Sequence, residues 1–107
     1  MVVPLLLSAG YHVYVDVAEA VAADDLHRVS AALGPDRALA RLLARRVHEA
    51  CTAAGAPLAE HDAVVLATAG SSDRRAVVDC ATVAELLAEE LGRPVTVSYL
   101  AAARPRV

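Results

Sequence analysis

Four short stretches of strand character, two of them aliphatic runs and two alternating with polar residues, are interleaved along the chain with stretches of helical period. The first run, Val2-Val3-Pro4-Leu5-Leu6-Leu7, stops at Ser8-Ala9-Gly10. Such a run reads as a strand buried on both faces of a parallel sheet, and Pro4 is acceptable if the strand begins at about that point. Val13 to about Ala23 is alanine-rich with Asp16 and Glu19 near its front, acids that suit the positive end of a short helix. Asp24-Asp25 ends that helix, and Leu26 to Leu33 alternates loosely as a second strand. After the punctuation of Gly34-Pro35-Asp36, Leu39, Leu42, Leu43, Val47, Ala50 and Ala54 recur at three- and four-residue intervals. That period predicts a long helix stopped by Gly55.

Ala63 to Ala67 is the third stretch, again an aliphatic run, and it breaks into Thr68-Ala69-Gly70-Ser71-Ser72. Ser72 or Asp73 can cap the helix that follows, in which Val77, Ala81, Ala84, Leu87 and Leu91 line one face up to Gly92. Val95 to Leu100 is the fourth strand. The predicted order is β-α-β-α-β-α-β, with connections long enough for right-handed crossovers.

Composition narrows this picture. A chain of 107 residues is one domain, large enough to bury a core without disulfides or a structural metal. With three aromatics, all Tyr, and 57% of residues in the hydrophobic class, the core must be built from Ala, Leu and Val. The net charge is -3 and every basic residue is Arg, a balance that argues against general nucleic-acid binding. Arg74, Arg75, Arg104 and Arg106 are candidates for a local patch facing an anionic small molecule, although solvated surface is the simpler role for each. Cys51 and Cys80 fall inside predicted helices with no metal-site spacing, and read as small apolar residues in a reducing compartment. No basic region precedes the first apolar run, which is too short to span a bilayer, so a cytoplasmic location is expected.

Three blocks resemble one family. Pro4-Leu5-Leu6-Leu7-Ser8-Ala9-Gly10-Tyr11-His12-Val13 is similar to the strand and histidine loop of the sirohydrochlorin chelatases, the small cobalt or iron insertases of cobalamin and sirohaem synthesis. Ala67-Thr68-Ala69-Gly70-Ser71-Ser72-Asp73-Arg74-Arg75 resembles the strand-end motif, commonly His-Gly-Ser-Arg-Asp, with which each half of such chelatases opens. Val97-Ser98-Tyr99-Leu100-Ala101 resembles the strand that follows. Ala69 departs from the pattern, standing where the opening motif carries its other active-site histidine. The order departs too: the histidine strand comes first here and third in a family half, so the chain looks like the end of one half joined to the start of the next. Residues 1–107 then form a single chelatase-like domain, either free-standing or part of a longer two-half enzyme.

If each strand keeps its family neighbours, the resemblance implies a four-stranded parallel α/β sheet of order 2-1-3-4 with helices on both faces. The first and third strands would then meet at a topological switch point, where ligands bind between the loops Ser8 to His12 and Ala69 to Asp73. Imidazole suits metal insertion: it is largely neutral near pH 7 and ligates iron, cobalt, nickel and zinc. His12 is therefore the candidate metal ligand or base, and its bland alternative is a histidine that hydrogen-bonds in a turn. Ser8, Gly10, Tyr11, Gly70, Ser71 and Ser72 are candidate substrate-binding residues. The Gly-Ser-Ser turn ahead of a helix can offer N–H groups and hydroxyls to a carboxylate, or can simply be a cap. Tyr14 is expected to pack, and His27, His48 and His61 have no ligand spacing.

The resemblance implies a polycarboxylate tetrapyrrole and a divalent metal, Co2+ or Fe2+, as substrates, with no permanently bound cofactor and with neither nucleic acid nor membrane as partner. With Ala69 in place of a histidine, one chain supplies one motif imidazole. A homodimer could bring two copies of His12 together, another chelatase half could carry the missing histidine, or the domain could be a non-catalytic module that binds tetrapyrrole or metal or completes an assembly.

Overall fold

The computed structural model describes residues 2–6, 8–22, 28–101 and 103–105, with the backbone alone at 12–14. A six-residue π-helical turn, His12–Val17, runs directly into α1, Ala18–Ala22. Then follow α2 (Arg37–Ala53), β1 (Val64–Thr68), α3 (Arg74–Leu91) and β2 (Val95–Tyr99). Local chemistry explains the boundaries. Asp36 caps α2 by accepting from the Ala38 N–H at 2.7 Å, and Asp73 caps α3 by accepting from the Arg75 N–H at 2.9 Å. Gly55 follows α2 with φ +63° and Gly92 closes α3 with φ +65°, the left-handed ends expected of those glycines.

β1 and β2 pair in parallel from Val64 opposite Val95 to Thr68 opposite Tyr99, joined by the α3 crossover. The four-stranded sheet of order 2-1-3-4 does not form. Its 3-4 pair is this two-stranded sheet, and its 2-1 pair is reduced to one parallel bridge between Val2 and Val29. Val2 N–H donates to Arg28 O at 2.7 Å and Ser30 N–H to Val2 O at 3.0 Å, after which no ladder continues among the described residues. The first run stops being a strand at the residue where its donors stop, because Pro4 has no N–H to carry the ladder forward. No hydrogen bond of the described residues joins residues 2–6 to β1, so the switch point between the first and third predicted strands is absent as well.

Helices likewise do not cover two faces. β1 alternates half-buried and exposed, with Val64, Leu66 and Thr68 inward and Val65, at 54% exposure, outward. An uninterrupted aliphatic run predicts burial on both faces, whereas the second face is covered only at Ser98, where the hydroxyl donates to Pro105 O. Sealing the second face takes another helical layer. The long helices are spent otherwise: α3 packs on β2, and α2 packs on α3. Ala40 and Ala44 are the buried residues of α2, small enough to bring the two helices close, while Arg37 and Arg41 pair with Glu89 and Glu90 across them. The start of α2 therefore lies beside the end of α3.

The core is thin and α3 supplies most of it: Ala76, Cys80, Val83, Ala84 and Leu87 are buried. Its buried face is turned from the predicted one, with Ala81 exposed and Cys80 inside. Cys80 thus meets its expectation as a small buried residue and Cys51 is half-buried; both are free. The radius of gyration is 16.2 Å, against about 13 Å for a compact chain of this length, in keeping with a core sealed from one side. No helix of the described residues is long and apolar enough to cross a membrane.

Candidate functional site

Two loops meet beside the start of α3. The first, Ser8 to Tyr11, leads into the π-helical turn; the second, Ala69 to Asp73, leaves the carboxyl end of β1. Their contact point is Gly10. A Cβ added there would stand 3.4 Å from Ser71 Oγ and 3.7 Å from the Ala76 Cβ. Buried Ala9, next to it, donates its N–H to Asp79 Oδ2 at 2.9 Å. The two motif loops are thus neighbours, although through α3 and not through adjacent sheet strands.

Within the second loop, Gly70 is obligatory. Its φ is +87°, and a Cβ there would come within 1.8 Å of the Ala101 carbonyl oxygen. The segment after β2 crosses at this point because Leu100 N–H donates to Thr68 O at 2.9 Å and Ala101 N–H to Ala69 O at 3.1 Å. The chain then turns back, and Pro105 O accepts from Tyr99 N–H at 2.8 Å and from Ser98 Oγ at 3.3 Å. Burial pushes the Tyr99 phenol above its ordinary pKa, with Cys80 adding to the shift.

The Gly-Ser-Ser turn is at least a cap. Ser71 Oγ accepts from the Asp73 N–H at 3.0 Å, and the Asp73 carboxylate binds the Arg75 guanidinium through Nε and through Nη2, the latter at 2.7 Å. Hydrogen bonds from the Arg75 side chain and backbone hold Asp73 below the usual carboxylate range. The Ser71 hydroxyl keeps its own proton to donate, and Ser72 is exposed. Arg74 and Arg104 are exposed as well, whereas Arg106 lies outside the described residues.

Of the remaining predicted positions, Ser8 and Gly10 are half-buried and Tyr11 is 56% exposed. The His12 backbone opens the π-helical turn one residue further on, and its side chain, like that of Tyr14, lies outside the described residues. His48 and His61 are exposed, and His27 is outside the described residues. No group of three or more metal-binding side chains occurs among the described residues. Next to the first loop, Ser8, Leu43, Leu66, Thr68, Cys80 and Val83 line an apolar cavity of about 340 Å³. A second of similar size, reached past Ala9, is lined by Asp79, Ser30 and Pro35.

Asp79 was missed in the sequence. Its signal was available, since an acid that lies three residues after Ala76 and four before Val83 shares their buried face.

These features define a small α/β domain whose candidate chemistry sits on paired loops at one end of a parallel strand pair. Residues 1–50 match the model of the CbiX family, that of the sirohydrochlorin chelatases. The match covers just under half of the chain, includes the whole Ser8 to His12 loop, and supports the chelatase family assignment. No curated protein and no solved structure matches the chain.

Proposed function

We propose that this domain takes part in inserting Co2+ or Fe2+ into a polycarboxylate tetrapyrrole, with His12 as the metal ligand or as the base that removes pyrrole N–H protons. The CbiX match supports a chelatase-like function. The observation that carries the finer reading is that the matched histidine loop lies against the Gly70-Ser71-Ser72 turn, through Gly10 and Ser71. In this reading the two loops receive the substrate: half-buried Ser8 and Gly10 with exposed Tyr11 from one side, half-buried Gly70 and Ser71 with exposed Ser72 from the other, with hydroxyls and N–H groups meeting its carboxylates. Ala69 leaves one imidazole per chain. A second copy of this chain or another chelatase half supplies the other.

Anaerobic mixing of Co2+, sirohydrochlorin and protein, followed by absorbance, tests the reading. His12→Ala is expected to slow insertion by about 100-fold or more, the usual loss for a proton-transferring side chain. Equal rates for the two proteins would remove His12 from the mechanism. Ala69 also favours a second reading, a non-catalytic module that completes a larger chelatase. Unchanged spectra together with tight association with a chelatase half would select it.

A further inference from the structure

We propose that Asp79 is a positioning residue for the histidine loop, holding Ser8 to His12 against α3 by accepting the Ala9 N–H; this rests on the chelatase reading above. The bond is 2.9 Å long and joins residues seventy positions apart. It lies at the base of the loop, three residues before His12, and its donor belongs to a residue only 7% exposed. The same stretch of chain lies near the loop at two further points, since a Cβ placed on Gly10 would stand 3.7 Å from the Ala76 Cβ, one turn before Asp79, and 3.4 Å from Ser71 Oγ, in the turn ahead of α3.

The surroundings make this bond matter. Among the described residues, 2–6 belong to no extended ladder, and the nearest backbone hydrogen bond on that side runs from Gly34 N–H to Leu6 O at 3.3 Å. A carboxylate acceptor makes the stronger kind of hydrogen bond, and mid-helix it is fixed by the backbone of α3. The element that starts at the Gly-Ser-Ser turn therefore also fixes the distance at which the histidine loop faces that turn. Displacing a reacting group by an ångström costs rate far more than affinity.

Asp79→Ala and Asp79→Asn, compared with the unaltered chain, provide the test by two readouts. Amide hydrogen exchange across residues 8–12 is expected to speed up by about tenfold in Asp79→Ala, while peptides of α3 and β2 keep their protection. In the insertion assay the same variant is expected to lose about tenfold in kcat with KM for the tetrapyrrole within about twofold. Asn keeps an oxygen acceptor and is expected to restore most of both. Unchanged exchange in the loop overturns the proposal, and so does faster exchange with an unchanged kcat. If the unaltered chain inserts no metal, either alone or mixed with a chelatase half, the chelatase reading fails, and the exchange arm by itself decides whether Asp79 holds the loop.

Discussion

Residues 36–101 and residues 2–33 differ in how their backbone groups are satisfied. The first region closes on itself: two capped helices and a five-residue parallel ladder leave α3 with one buried face against β2 and α2. Among its described residues the second has one bridge, a π-helical turn and a five-residue helix, and exposes Val3, Leu5 and Leu6, Leu5 at 80%. Yet the second region carries the candidate histidine and the greater part of the family match. The candidate loop is hydrogen-bonded to an element seventy residues away. The better-packed region and the candidate loop thus lie in different parts of the chain.

The contrast is broken most severely at Gly70, where the loop after β1 meets the segment after β2. Gly70→Ala forces a Cβ to within 1.8 Å of the Ala101 oxygen at positive φ, and is expected to cost on the order of 4 kcal/mol in denaturant unfolding. Gly10→Ala, whose Cβ would meet only ordinary contacts at 3.4 and 3.7 Å, is expected to cost less than about 1 kcal/mol. A similar loss for both would show that the two loops are equally constrained.

A matched pair of leucines sharpens the contrast. Leu87, 3% exposed in the core, is expected to lose about 3 kcal/mol when changed to Ala. Leu5→Ala is expected to stay within about 0.5 kcal/mol, because that side chain is already in water. A large loss at Leu5 would mean that the first run is buried in solution.

The smallest effect concerns the Asp73 cap of α3. Asp73 has its folded pKa lowered by Arg75, so its contribution is present above the unfolded value of about 3.9 and is lost as pH falls through the folded value. Asp73→Asn is therefore expected to lower the thermal midpoint at neutral pH and to converge with the unaltered protein on acidification. A difference that does not narrow as the pH is lowered would assign the effect to something other than this ionisation.

Much of the closed region was legible beforehand. Asp36 and Gly55 bracket α2, Asp73 and Gly92 bracket α3, and the two stretches of strand character around α3 pair as parallel strands. Caps and left-handed glycines act within a turn of the residues that encode them, so they read directly. The helix faces were less legible, since Cys80 is inside and Ala81 outside, and alanine-rich helices offer little to distinguish neighbouring stripes. The first two stretches of strand character misled for a related reason: such a stretch does not say whether another layer is present to cover it.

The sequence by itself determined where helices and turns begin and end, the glycine stops, and the resemblance that the CbiX match supports over residues 1–50. Only the tertiary structure decided that the sheet has two strands, that one of its faces is open, that Gly70 and not Gly10 is irreplaceable, and that Asp79 meets the histidine loop. The reason is range. Capping and helical period are settled by residues a few positions apart, whereas ladder length, face burial and the approach of two loops depend on groups brought together from distant parts of the chain.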